Sequence, residues 1–338
     1  MKEKIIVTGA TGFLGQYVIQ ELVAQHYDVI AVGRNKAQLD FLEEEYTITP
    51  LMLDLNHRSE VFRLWPKEVS ACLHCAALST VYGPYEDFYE ANVAVTKNVI
   101  EASIAKQVKR LVFVSSPSIY AKCKDDFNIK EVDLTNKAFD PPYLNNYIQT
   151  KIEAERLLHH YQEEIELVIV RPRGLFGIGD TSIFPRLMAV NQKIGIPLFR
   201  NGQGNIMDLT CVENVAYALR LCVEANGING CIFNITNDEP ISFKRLIDRI
   251  FQLLGEEVHY RQFNEQFIYK IAHLLEKFHY LFKLKKEPLL TRYTVSILAY
   301  SQTLDIRFAK EKLGYQPIMT IDEGIQKYIT DYKMKLDG

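Results

Sequence analysis

Two kinds of hydrophobic pattern alternate along the first half of the chain. Ile5, Ile6 and Val7 open an unbroken apolar run, Ile5–Thr8, that reads as a buried strand, whereas Phe13–His26 spaces its apolar residues as a helix does. The strand pattern returns at Val29–Val32, Ile48–Leu53, Ala71–Ala76, Leu111–Ser115 and Leu167–Arg171, and the helical one at Glu90–Lys106 and Tyr147–Tyr161. Strands that are apolar on both sides, alternating with helices, predict an α/β fold with a parallel sheet covered on both faces. Cys231–Ile235 is a candidate to return to the same sheet. From residue 172 onward the pattern changes, with helices expected over 182–194, 212–225 and 241–254 and loops rich in Gly, Asn and Pro between them. The expected division is a sheet domain over 1–171, receiving a strand near 231–236, and a smaller interleaved α+β domain over 172–338.

Composition narrows the class without naming a function. A chain of 338 residues buries roughly three quarters of its surface on folding, so no disulfide or metal staple is needed. With 48% hydrophobic and 24% charged residues the chain is not disordered or low-complexity, and a net charge of −3 offers no basic field for nucleic acid. The six cysteines are too scattered for a secreted disulfide framework. Cys72-Leu73-His74-Cys75 lacks a second ligand pair at zinc spacing, so no metal is expected and the cysteines read as small hydrophobes. No run of 18 apolar residues occurs, and the first apolar run is too short for a signal-peptide core, which makes the cytoplasm the expected compartment.

The first strand leads into Thr8-Gly9-Ala10-Thr11-Gly12-Phe13-Leu14-Gly15. Here the chain must turn sharply from strand to helix. Gly9 allows the turn, Gly12 leaves room for a pyrophosphate and Gly15 lets the helix pack close to the sheet. N–H groups at the helix start, aided by the helix dipole, face the phosphates. A glycine triplet is weak evidence alone; between a strand and an amphipathic helix it is a dinucleotide fingerprint, and it makes the sheet Rossmann-type and doubly wound.

The second strand ends Gly33-Arg34-Asn35, where an NAD site usually places an acid on the ribose hydroxyls. Arg34 instead offers a fork of donors suited to a 2′-phosphate, which points to NADP rather than NAD. Asp54-Leu55 ends the third strand, where the carboxylate can accept from the adenine amino group. Cys75-Ala76-Ala77 ends the fourth, where small residues leave room for the middle of the cofactor.

The fifth strand ends Ser115-Ser116-Pro117-Ser118-Ile119-Tyr120, and Tyr147 and Lys151 stand four apart on one helical face. An ammonium near a phenol stabilises phenolate, and the phenol can then exchange a proton with a carbonyl or alcohol oxygen that a serine holds. Alone, a tyrosine four before a lysine is as readily an exposed helix face. Together with the glycine turn, Asp54-Leu55, Cys75-Ala76-Ala77, Asn92-Val93, Arg171-Pro172-Arg173-Gly174-Leu175-Phe176-Gly177 and Leu313-Gly314-Tyr315-Gln316-Pro317, the chain resembles the extended short-chain dehydrogenase/reductases of the epimerase/dehydratase superfamily. The resemblance implies a catalytic set of Ser116, Tyr147 and Lys151, with Ser118 as the fallback serine. It implies cofactor contacts at Gly9, Thr11, Gly12, Phe13, Leu14, Gly15, Arg34, Asn35, Asp54, Leu55, Cys75, Ala76, Ala77, Asn92, Tyr147, Lys151, Pro172 and Gly174. It also implies a homodimer built on the helices near 90–106 and 147–161.

Three departures narrow the branch. Pro117 and Ser118 stand where the superfamily's dehydratases carry an acidic pair, Gly174 stands where many epimerases carry asparagine, and Arg34 argues against a retained NAD. The run Arg171–Asp180 looks most like the 3β-hydroxysteroid dehydrogenase-like branch, which includes 2-alkyl-3-oxoalkanoate reductases. The expected reaction is hydride transfer between NADP(H) and a ketone/alcohol pair on an apolar, 3-oxoacyl- or sterol-like substrate. The rivals are a nucleotide-sugar 4-epimerase with retained NAD and a non-catalytic cofactor-binding regulator. In 267–286, Phe267, Ile271, Leu274, Phe278 and Leu281 form an apolar helical stripe ringed by Lys270, Lys277, Lys283, Lys285 and Lys286. That stripe reads first as a core-facing helix, and otherwise as a lid over an apolar tunnel that also touches a membrane surface. Trp65 is expected as a packing anchor and His159-His160 as surface residues.

Overall fold

The computed structural model describes residues 3–132, 139–180, 184–193, 195–200, 204–284 and 286–337. The main sheet has seven parallel strands: β1 (Lys4–Thr8), β2 (Asp28–Gly33), β3 (Ile48–Met52), β4 (Ala71–His74), β5 (Arg110–Val114), β6 (Glu166–Pro172) and β7 (Ile232–Ile235). Their order is β7-β6-β5-β4-β1-β2-β3, with Ile5 opposite Val29 on one side and Ala71 on the other. The chain winds outward in both directions from β1, so the loops leaving β1 and β4 part at the carboxyl edge and open a crevice. The return of the late strand to the sheet, alongside β6, follows the apolar pattern at Ile232–Ile235.

Alternate residues of β1 enter different cores, which is why its sequence is apolar throughout. Ile5 and Val7 join the core under the Phe13–Ala24 and Val212–Glu224 helices, whereas Ile6 joins the core under the Val95–Ala105 and Asn146–His159 helices. Trp65 anchors the second core, buried and donating from Nε1 to Ser103 at 3.1 Å. His74 is a satisfied core histidine between Thr8 (2.7 Å) and Thr96 (3.0 Å), held neutral by burial with its pKa lowered to about 3.

A second sheet of four short strands, in the order Ile241–Ser242, Ile206–Met207, Gln302–Leu304 and Asp126–Ile129, draws its last strand from the first half of the sequence. The Phe243–Leu254 helix, N-capped by Ser242 and ended by Gly255 at φ +78°, packs with Ile321, Ile325 and Ile329 into a third core. The helix over 184–193 lies within the expected 182–194.

Two expectations change. Glu90–Lys106 is not one regular helix: a single π-turn, Glu90–Ala94, joins Tyr85–Tyr89 to Val95–Ala105, and turns of this kind often mark functional sites. The Glu265–Leu281 helix does not turn its apolar stripe to the core. Phe267 is 63% and Leu274 66% exposed, Phe278 and Leu281 face solvent as well, and the opposite face, with Ala272 and Glu276, is the buried one. Periodicity locates a stripe on a helix but not the body it faces. Lys270, Lys277, Lys283 and Lys286 are exposed around it, and Lys285 lies outside the described residues.

Candidate active site

The turn after β1 is shaped for a dinucleotide. Gly9 has φ +66°, and a Cβ there would sit 2.8 Å from the Ala76 Cα at the end of β4. A Cβ on Gly15 would sit 2.1 Å from the Gly9 carbonyl oxygen, so the helix packs closer to the turn than any side chain allows. Gly12 is the N-cap of the Phe13–Ala24 helix, no side chain caps it, and no acid stands in the first turn. Its first N–H groups therefore suit a pyrophosphate.

At the end of β2, Arg34 is exposed and has no ion-pair partner among the described residues. Asn35 beside it is spent on structure: its Oδ1 caps the following helix by accepting from the Gln38 N–H at 3.2 Å. Asp54 accepts from Asn56 N and Nδ2, both at 3.1 Å, which leaves Asn56 Oδ1 as a buried acceptor with no protein partner. Leu55 is buried, and Ala77 is exposed at the crevice. Asn92, within the π-turn, is fully buried. It accepts from Leu78 N (2.8 Å) and donates to Leu78 O and Thr150 Oγ1 (both 3.1 Å). Its side chain fastens the loop after β4 to the Asn146–His159 helix, so its service to a cofactor is to position that loop. Pro172 ends β6 in the core, and Gly174 turns the chain at φ +52°.

Ser116 and Tyr147 come together. The Ser116 hydroxyl lies near the Tyr147 phenol and favours phenolate, while burial pushes the Tyr147 pKa well above its usual value, and burial dominates. Ser116 donates to Ser118 Oγ at 2.9 Å, and Ser118 lies near the buried Tyr293. Tyr147, Ser116, Ser118 and Tyr293 thus cluster their hydroxyls at this edge. Ser115 points away and donates to the buried Glu155.

Lys151 is 2% exposed, donates from Nζ to the Val114 carbonyl at 2.9 Å and lies 4.7 Å from the centre of the Phe113 ring. Burial lowers its pKa to about 8, while Glu155 and Cys75 pull it back up. It is not among the groups that shift Tyr147. The four-residue spacing puts the two side chains on one face, yet the ammonium rests against the ends of β4 and β5 rather than on the phenol.

Several contributors were not expected from sequence. Glu155, one turn beyond Lys151, forms a buried ion pair with Arg171, whose guanidinium also reaches the Tyr120 hydroxyl and the Val132 carbonyl (3.1 Å). A second four-residue spacing, Lys151 to Glu155, was the available signal. Tyr293 comes from the Arg292–Ala299 helix, and nothing in its local sequence marks it. Arg173 is buried near Tyr293 and Asp208. Among the described residues, no group of three or more His, Cys, Asp or Glu is placed to hold a metal, and no helix is long and apolar enough to cross a membrane.

The family described as "NAD dependent epimerase/dehydratase family" matches residues 5–236. The uncharacterized protein YbjS of Escherichia coli (strain K12) is 30% identical over 333 residues, covering 96% of both chains. A 2-alkyl-3-oxoalkanoate reductase of Shewanella oneidensis is 27% identical, covering 95% of this chain and 84% of its own. The mouse sterol-4-alpha-carboxylate 3-dehydrogenase, decarboxylating, is 28% identical, covering 98% and 91%. Among solved structures, MoeE5 in complex with UDP-glucuronic acid and NAD superposes with a TM-score of 0.75 at 22% identity, over 98% of this chain and 99% of that one. A UDP-glucuronic acid 4-epimerase from Bacillus cereus in complex with NAD gives 0.74 at 20% identity, over 99% and 100%. These two likenesses concern the fold. The glycine cradle, the strand order and the match over residues 5–236 lead to one assignment: the chain belongs to the NAD dependent epimerase/dehydratase family, and is an NAD(P)-dependent enzyme of the extended short-chain dehydrogenase/reductase type.

Proposed function

We propose that the chain is an oxidoreductase that interconverts a ketone and a secondary alcohol on an apolar substrate, using Ser116, Tyr147 and Lys151. The observation that carries the reading is the nearness of Ser116 to Tyr147 at the carboxyl edge of β5, beside the glycine cradle. The names of the relatives, a 3-oxoalkanoate reductase and a sterol dehydrogenase, support the substrate class.

A bound nicotinamide supplies or accepts the hydride. Gly9, Gly12 and the uncapped helix start hold the pyrophosphate, and the ends of β3 and β4 line the remainder. Ser116 orients the substrate oxygen. Tyr147 gives that oxygen a proton during reduction and takes one during oxidation, work worth about 10²–10⁴-fold in rate. Burial keeps Tyr147 protonated in the free enzyme, the form that reduction requires. Lys151, whose ammonium burial disfavours and Glu155 favours, would meet the nicotinamide ribose near the end of β5.

NADP(H) is the cofactor in this reading, because Arg34 is a free cation at the ribose position. The homodimer through the helices near 90–106 and 147–161 and a cytoplasmic setting complete the proposal. The Glu265–Leu281 helix serves as cover. Tyr82, in the loop after β4, packs on His279 and Tyr280 and donates to the Leu284 carbonyl at 3.2 Å, which ties the helix to the crevice. Its outward apolar face with a lysine rim is the surface for a membrane contact.

The experiment follows nicotinamide absorbance and cofactor retention together, with a panel of apolar 3-oxo acids and steroids beside UDP-sugars. NADPH consumed over many turnovers by an apolar ketone is the expected result, with NADPH bound about tenfold or more tighter than NADH and that preference lost in Arg34→Ala. Redox-neutral conversion of a UDP-sugar with retained NAD overturns it.

A further inference from the structure

The Asn146–His159 helix meets the end of β5 with two charged side chains one turn apart. Lys151 donates from Nζ to the Val114 carbonyl at 2.9 Å. Glu155 accepts from the hydroxyl of Ser115, the next residue along the chain. Ser116 follows directly. The helix therefore clasps the strand end through an ammonium and a carboxylate, immediately before the serine that lies near Tyr147.

The clasp is enclosed. Glu155 and Arg171 are both buried, and Arg171 donates to the carboxylate from Nε at 3.0 Å and from Nη2. Its remaining nitrogen is taken up by the Tyr120 hydroxyl and by the Val132 carbonyl at 3.1 Å. A buried ion pair seldom adds stability over apolar side chains of the same volume, so packing alone gives no reason for one here. A carboxylate four residues after an ammonium shares its helix face, and away from water their attraction is strengthened.

The other groups around Lys151 carry no negative charge. On β5 they are the Phe113 ring, 4.7 Å away, and the Val114 carbonyl. On β4, burial keeps His74 neutral and pushes the Cys75 thiol up to about 12. On the helix itself, burial keeps Tyr147 protonated. Among the described residues, Glu155 is thus the anion that acts on the ammonium, and Arg171 is not among the groups that act on it.

We propose that Glu155 is a positioning residue for the reaction: by closing the clasp on β5 it keeps Lys151 charged and seated, while Arg171 holds the carboxylate in place. This rests on the reading of Ser116, Tyr147 and Lys151 as the reacting set and deepens it. Without the carboxylate, the ammonium keeps only a carbonyl dipole and a ring face, and burial then favours the neutral amine.

The test labels lysine with carbon-13 at Cε and follows the Lys151 signal, identified by its loss in Lys151→Met, in the ligand-free full chain. Wild type is expected to half-titrate at about pH 8. Glu155→Gln, close in shape, lowers that midpoint by about one pH unit or more, and Glu155→Asp, which restores the charge, recovers at least half of the change. In parallel, kcat for an apolar ketone with NADPH is measured across the same pH range. The alkaline fall in rate is expected to move down with the midpoint in Glu155→Gln. A merely structural carboxylate lowers the rate by one factor at every pH and leaves the midpoint in place. If Glu155→Gln does not fold, the double variant Glu155→Gln/Arg171→Gln removes both members of the ion pair, and the same downward movement is expected. A midpoint left unchanged by these variants overturns the proposal, and so does a midpoint that moves without the rate profile. Wild type that reduces no apolar ketone removes the ketone/alcohol reading, and the titration then decides alone whether Glu155 holds the charge of the lysine.

Discussion

At the scale of single residues, the chemistry rests on charges that burial makes expensive. Lys151 is the clearest case. Its pKa is lowered from 10.5 to about 8 because burial disfavours the ammonium more than Glu155 and Cys75 favour it. Below about pH 8 the lysine is charged in both folded and unfolded chains, and the cost of burying it is constant. Between about pH 8 and 10.5 the unfolded chain binds the more protons, so this residue makes stability rise with pH. Buried thiols oppose it in the same range, as the raised Cys72 and Cys75 show. The difference between wild type and Lys151→Met isolates the lysine: unfolding free energies measured from pH 7 to 10 should converge on that of the variant as pH rises. A constant difference across the range would contradict the account. Tyr147 and Lys151 stood out by their spacing and Ser116 by the resemblance, and the structure brings Ser116, though not Lys151, to Tyr147. The nearness of Tyr293 to Ser118 was not legible, because Tyr293 comes from a helix far along the chain. The lysine's actual rest position, on Val114 rather than on the tyrosine, also needed coordinates.

Elements were legible in proportion to how uniform their surroundings are. The seven main strands are buried on both sides, so each shows as an apolar run in the sequence. The two- and three-residue strands of the smaller sheets carry too few residues for any period to show. The π-turn at Glu90–Ala94 leaves the apolar pattern almost intact, and only Asn92, pulled inward to Leu78 and Thr150, reveals its use. The Glu265–Leu281 helix was found but its stripe was first read as core-facing, because a stripe that faces solvent has the same period as one that faces a core. As a cover, it should act on long substrates in particular. Tyr82→Ala removes the ring contacts with His279 and Tyr280 and the bond to Leu284, and the expected result is a larger loss of kcat/KM on long-chain ketones than on short ones. Equal losses on both would contradict the cover.

On the scale of the whole molecule, the winding of the sheet explains why residues from distant stretches meet. The order β7-β6-β5-β4-β1-β2-β3 places the ends of β1, β4, β5 and β6 side by side, and with them the glycine turn, Cys75, Ser116 and Arg173. The second half of the chain closes this edge from above, contributing Tyr293 and Asp208. The sequence patterns foretold the interleaving through Ile232–Ile235 but not through Asp126–Ile129, which leaves the first half to pair with Gln302–Leu304.

The most direct test of the central claim is ketone reduction by Tyr147→Phe, measured at matched NADPH occupancy. The account predicts a rate lowered by about 10²–10⁴-fold with NADPH affinity within about threefold of wild type, because the phenol handles the proton and the cradle holds the cofactor. Turnover that survives in Tyr147→Phe would contradict it.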